Sequence, residues 1–247
     1  MAHTDTLPSN EERNLLRSSL RGLLEEHWPL DSLSAAAERS NDSQQVLQLH
    51  QHFTQLGLTS LGFTPEEGGL REALIVMEEV GRRCAPVPII GGLLTNFLLE
   101  KSSPLLARVH QGNAIIAFHP GNLDPDISAS AVDISGSSAT GELNYVEDGT
   151  VATHLIFHTN DGWVCADLNN DSVNKKSLSG LSRPALTQVK FQNTPVTLIG
   201  ETKLGDEELL RLFKLCLCLI EITCCKMQFP TIAMNLRRIG IILFRLL

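Results

Sequence analysis

Cys216, Cys218, Cys224 and Cys225 crowd four thiols into ten residues, and zinc is the first chemistry to test against such a cluster. Their spacings of two, six and one within an apolar helical run point the sulfurs in different directions, without the paired C-x-x-C grammar of a zinc site. With Cys84 and Cys165 isolated as well, buried and reduced thiols are expected, and no metal. The histidines carry no stronger grammar. His50 and His52 stand two apart on a predicted helix and do not share a face, while His27, His110, His154 and His158 have no nucleophile or carboxylate spaced around them. Surface or capping roles are expected for these. Walker, G-x-G-x-x-G and G-x-S-x-G motifs are absent, so phosphate-loop, Rossmann and serine-hydrolase chemistry have no motif, and no catalytic residue is assigned.

The elements that would position a site are more legible. Between Leu56 and Pro88, Leu70, Ala73, Leu74, Met77, Val80, Gly81 and Cys84 recur at helical spacing on one face, and Arg71, Glu72, Glu78, Glu79, Arg82 and Arg83 take the other. Glu78 with Arg82 and Glu79 with Arg83 are acid-before-base pairs, each worth about 0.2–0.5 kcal/mol on an exposed surface. Upstream, Thr64-Pro65-Glu66-Glu67 is suited to open a helical turn, and Gly68-Gly69 permits a chain reversal. Ser9-Asn10-Glu11-Glu12 reads as a capping box for a helix carrying Leu15, Leu16, Leu20, Leu23 and Leu24. Strands are expected over 114–118, 139–146, 151–157, 162–166 and 182–191, with an Asn160-Asp161-Gly162 turn. A chain of 247 residues at 43% hydrophobic content can fill one or two cores. Its net charge of −8, with no basic stripe, argues against nucleic acid. Met1 to Asn10 is polar and no cleavable signal is expected, which makes the cytoplasm the default location.

Several of these pieces stand in an order that resembles the flavin-dependent acyl-CoA dehydrogenase family. The matching residues are Gly57-Leu58, Pro65-Glu66-Glu67-Gly68-Gly69, Glu78-Glu79-Val80-Gly81-Arg82 and Pro86-Val87-Pro88, followed by strand pairs around Gly141, Gly149 and Phe157 and by Ser182-Arg183 to Phe191. The resemblance covers about residues 11 to 215. It implies an α+β architecture: an N-terminal all-α domain from 11 to 112, a middle antiparallel β-barrel-like domain from 113 to 200, and an incomplete C-terminal helical domain from 205 to 247. Residues 66–69 and the helix after them are expected to serve fold and interface.

The family holds FAD along a strand end resembling Ala-Leu-Thr-Glu-Pro, and Ala117, Phe118, His119 and Pro120 occupy that place here. The Thr-Glu pair is missing, so the resemblance leaves backbone contacts to the flavin and removes the hydroxyl contact. His119 either donates to the ring or has a structural or solvent-facing role. Gly121-Asn122-Leu123-Asp124-Pro125 stands where a flavin-proximal loop would be.

The resemblance also implies an acyl-CoA substrate, α,β-dehydrogenation to a 2-enoyl-CoA, and a homo- or hetero-oligomer. The carboxylate that takes the α-proton in the family has no counterpart, which leaves an alternative: a non-catalytic subunit supporting a paralogous dehydrogenase. Asp206 to Lys226 reads as one apolar helix with acids at its start, where they suit the helix dipole, and its apolar faces predict poor solubility alone. After about Ile220 the family pattern stops. Thr231 to Leu247, with three arginines among apolar residues, is too short and charged to span a membrane and reads as a truncated or frame-shifted ending.

Overall fold

Ser9 opens the first helix as the capping box demands: its hydroxyl accepts from the Glu12 N–H at 3.2 Å while the Glu12 carboxylate accepts from the Ser9 N–H at 2.6 Å. The computed structural model describes residues 9–29, 42–64, 68–124, 132–178, 186–200 and 202–228, with side chains to 223. The expected turn at Pro65-Glu66-Glu67, the beginning of the 182–191 strand, the side chains of Cys224 and Cys225, and the segment from Thr231 to Leu247 lie outside those described residues.

The helices are α1 (Asn10–His27), α2 (Ser43–Gln55), α3 (Leu70–Arg82), α4 (Ile90–Leu98), α5 (Pro104–His110) and α6 (Asp206–Gln228). The strands are β1 (Ile116–His119), β2 (Val132–Ser135), β3 (Ser138–Val146), β4 (His154–Thr159), β5 (Gly162–Asp167), β6 (Val173–Ser177) and β7 (Thr187–Leu198). They form one sheet in the order β1-β4-β5-β7-β3-β2, with β6 also on β7. β1 runs parallel to β4 and every other pairing is antiparallel. The twelve-residue β7 joins β5 at one end to β3 and β6 at the other, which curls the sheet. This is the expected α+β class. β2 and β6 were not foreseen, because Lys175, Lys176 and Asp133 dilute the alternation that marks a strand. The strand expected from Val151 begins at His154, since residues 147–151 form a turn in which Asp148 sits at φ 57°.

Alternation along the strands divides the interior into two cores. Ile116 and Phe118 of β1, Ile156 of β4 and Trp163 of β5 face the helices, whereas Ala117, Leu155, Phe157, Val164 and Ala166 face the curled interior of the sheet. The helical core takes Leu20 and Leu24 of α1, Phe53 of α2, Val76, Met77 and Val80 of α3, and Leu209, Phe213 and Cys216 of α6.

The polar face expected on α3 is largely covered. α1 lies across it and supplies Arg13 to Glu72 at 2.7 Å, Arg17 to Glu78 and Glu79 at 2.7 and 2.8 Å, and Arg21 to Glu79 at 2.9 Å. Glu78 pairs with Arg82 as expected, but the Glu79–Arg83 pair is not formed: Arg83 turns to Glu25, and Glu79, 1% exposed, is gripped by α1. Burial pushes the Glu72 and Glu79 carboxyls up, and the arginines more than offset it, leaving both below the ordinary range. Leu70, placed on the apolar face, is exposed at the first turn. The surface role expected of the histidines also fails for His50 and His154, which are buried; burial pushes His50 down to about 4.

Candidate functional site

The candidate flavin-contacting residues sit at the end of β1, an edge strand overlaid by α4 and faced by α6. α4 comes down close because residue 91 is glycine: a Cβ there would lie 1.9 Å from the Ile116 carbonyl oxygen. Ala117, Phe118, His119 and Pro120 are all buried. Phe118 points to the helices, its ring centroid 4.9 Å from Trp163 and 5.3 Å from Phe213 of α6. Ala117 packs into the core of the curled sheet.

His119 is tied on both ring nitrogens. Nδ1 accepts from the Gly121 N–H at 3.0 Å, so the proton resides on Nε2 and is donated to the Asn144 carbonyl of β3 at 3.0 Å. Burial pushes this imidazole down to about 4, against the Asn144 carbonyl and the Asp124 carboxylate, which favour the cation. A neutral, doubly bonded and 1% exposed histidine has no hydrogen left to offer a ring. For FAD, the side chains at 117–120 therefore do not fit as donors. The outer backbone edge of β1 lies outside the sheet ladder.

The loop after β1 is fixed to its neighbours. Gly121, at φ 55°, packs so closely on β4 that a Cβ would lie 1.9 Å from the His158 carbonyl oxygen. The Asn122 amide donates to Asn160 Oδ1 at 2.8 Å, and the buried Asp124 carboxylate pairs with Lys214 of α6 at 2.9 Å. Asp206, read from sequence only as a dipole partner, docks the same helix: it accepts from Trp163 Nε1 at 2.8 Å and lies 3.5 Å from His158 Nε2.

Two carboxyls close by had no signal beyond a turn. Burial pushes Glu147 up to about 8, with Asp148 and Glu221 of α6 adding to the shift, and burial pushes Asp148 up to about 7. Cys84 and Cys216 are buried and Cys165 is half-buried, and burial pushes the Cys165 and Cys216 thiols up to about 12. Among the described residues no helix is long and apolar enough to cross a membrane.

Comparison with known proteins gives this geometry its setting. No protein-family model matches the chain. Acyl-CoA dehydrogenase IpdE2 of Mycobacterium tuberculosis is 32% identical over 145 residues, a stretch covering 54% of this chain and 44% of that protein. A variant of the Tcur3481-Tcur3483 steroid ACAD superposes with a TM-score of 0.69 at 18% identity, over 86% of this chain and 63% of that one. PigA with FAD and proline superposes with a TM-score of 0.63 at 14% identity, over 91% of this chain and 67% of that one. The matched stretch is thus less than half of its curated relative. By fold over most of its length, and by sequence over that stretch, the chain is acyl-CoA dehydrogenase-like.

Proposed function

We propose that this chain is a cytoplasmic, non-catalytic subunit of a mixed acyl-CoA dehydrogenase oligomer, supporting a paralogous chain that carries out FAD-dependent α,β-dehydrogenation of an acyl-CoA thioester. The observation that carries the reading is His119: where a flavin-binding strand end needs a free side-chain donor, its Nε2–H is spent on Asn144 and its Nδ1 on Gly121. The neighbouring ring of Phe118 is likewise spent on Trp163 and Phe213. In this reading the end of β1 and the Gly121–Asp124 turn brace α6, through Asp124–Lys214, and the partner supplies the flavin and the carboxylate that takes the α-proton.

The steroid ACAD variant that superposes on this chain carries two designations, Tcur3481 and Tcur3483, and a two-chain arrangement of that kind is what is proposed for this protein. A second reading, direct FAD-dependent dehydrogenation by this chain, is favoured by the fold it shares with PigA with FAD and by the outer backbone edge of β1, which no described strand pairs.

The visible absorption spectrum of the purified chain, with and without added FAD, separates them. The subunit reading expects no retained flavin and co-purification with a second dehydrogenase-like chain. A yellow protein with one FAD per chain that reduces a dye on addition of acyl-CoA would overturn it.

A further inference from the structure

Between the α4–α5 connection and strands β4, β5 and β7, a cleft of about 590 Å³ opens. That volume lies within the range of small-molecule sites. Its apolar wall includes Leu105, Leu198 and Ile199, and its polar floor is Arg108 and His154.

The floor is constructed rather than incidental. Thr153 Oγ1 accepts from the Ile115 N–H at 3.0 Å, donates to the Ile115 carbonyl at 3.2 Å, and lies 2.8 Å from His154 Nδ1. Arg108 Nη1 lies 3.3 Å from His154 Nε2, and a guanidinium can only donate. His154 therefore accepts at Nε2 and carries its proton on Nδ1, donated to Thr153. A buried, neutral imidazole thus holds one corner of the guanidinium, leaving its other N–H groups to the cleft. Among the described residues no carboxylate lies within ion-pairing distance of Arg108. Glu100, on the same rim, has Lys101 and Lys203 in its surroundings.

We propose that this cleft binds an amphiphilic monocarboxylate, its head group bidentate on Arg108 and its apolar body against Leu105, Leu198 and Ile199. The head group is set by one guanidinium that no described carboxylate pairs, Glu100 on the rim and Asp167 near His154 lying beyond ion-pairing distance, and the apolar body by the wall beside it.

Titration of the full chain with octanoate, using 1-octanol as the uncharged control, tests this by calorimetry without flavin or turnover. Octanoate is expected to bind at one site, saturating below about 10 mM, and 1-octanol about tenfold more weakly. Arg108→Gln is expected to weaken octanoate about tenfold and leave 1-octanol unchanged, with Arg108→Lys between the two. Leu198→Asp, at an exposed wall position, is expected to weaken both ligands while the far-ultraviolet circular dichroism stays as in the parent. Equal affinity for octanoate and 1-octanol, the same octanoate affinity in Arg108→Gln as in the parent, or no saturable binding would each overturn the proposal.

Discussion

Helix α6 meets the rest of the molecule in two places that follow opposite rules. Against α3 it meets a residue of the family pattern used for packing. A Cβ at Gly81 would lie 1.9 Å from Thr223 Oγ1 and 2.5 Å from the Ile220 carbonyl oxygen, so the glycine of Glu78-Glu79-Val80-Gly81-Arg82 lets two helix backbones touch. Against the end of β1 it meets a place where the pattern is broken, and there side chains fill the gap: Phe118 against Phe213, Asp124 against Lys214, and His119 turned inward to Asn144. The lesson is that the contact at Gly81 requires only shape, whereas at the end of β1 the side chains are committed to specific structural partners.

The strongest way to break this contrast is Gly81→Val. Forcing a branched side chain between α3 and α6 should destabilise the protein by about 3 kcal/mol. Urea unfolding of variant and parent measures it, and an unchanged midpoint would mean that α6 does not lie against Gly81. The matching test at β1 is His119→Phe, which keeps the ring volume and leaves the Gly121 N–H and Asn144 carbonyl without their partner. A loss of about 2–3 kcal/mol is expected in the same assay. If instead stability rises while bound flavin is lost, His119 serves the ligand and not the fold.

A smaller loss, about 1–2 kcal/mol, is expected for Asp206→Ala, which removes the acceptor of Trp163 Nε1. The accompanying observation is a change in tryptophan fluorescence as α6 loosens from β5; a silent spectrum would speak against the docking role.

The smallest effect is a pH dependence. Asp148 and Glu147, ordinarily near 3.8 and 4.5, are held at about 7 and 8 in the fold, so the folded state holds their protons more tightly than the unfolded chain does. Their contribution is complete below about pH 4 and is lost as pH rises through 7 to 8. His50 and His119, held at about 4 from 6.5, act with the opposite sign: their contribution is complete above pH 6.5 and is lost toward pH 4. Between pH 7 and pH 8 the two carboxyls dominate the change, the buried thiols of Cys165 and Cys216 joining only as pH nears their ordinary 9.0, so Tm should fall by about 2–4 °C. Asp148→Asn should remove part of that fall, and it suits the site because asparagine tolerates the φ of 57° found there. A Tm independent of pH across that range would show both carboxyls already ionised.

Which features were legible follows from whether their cause is local. The Ser9–Glu12 capping box, the acids opening α6 at Asp206, the turn at Gly162 and the strands around 139–146 and 162–166 depend on neighbours within a few residues, and each appears where the pattern placed it. Glu79 was misplaced because an exposed acid and one neutralised by two arginines of distant sequence look alike in a helical pattern. The same is true of His50 and His154, whose burial is decided by what packs over them.

The sequence by itself determined the kinds of element, their order, and the glycines and charges that mark their ends, because these respond to backbone preference and to periodicity along a single strand or helix. Tertiary structure alone decided that α1 would neutralise Glu79, that Gly81 would admit α6, and that His119 would be sealed between Gly121 and Asn144. Those outcomes depend on desolvation and hydrogen-bond satisfaction between residues up to 142 positions apart in the chain, as Gly81 and Thr223 are, and no window on the sequence contains both partners.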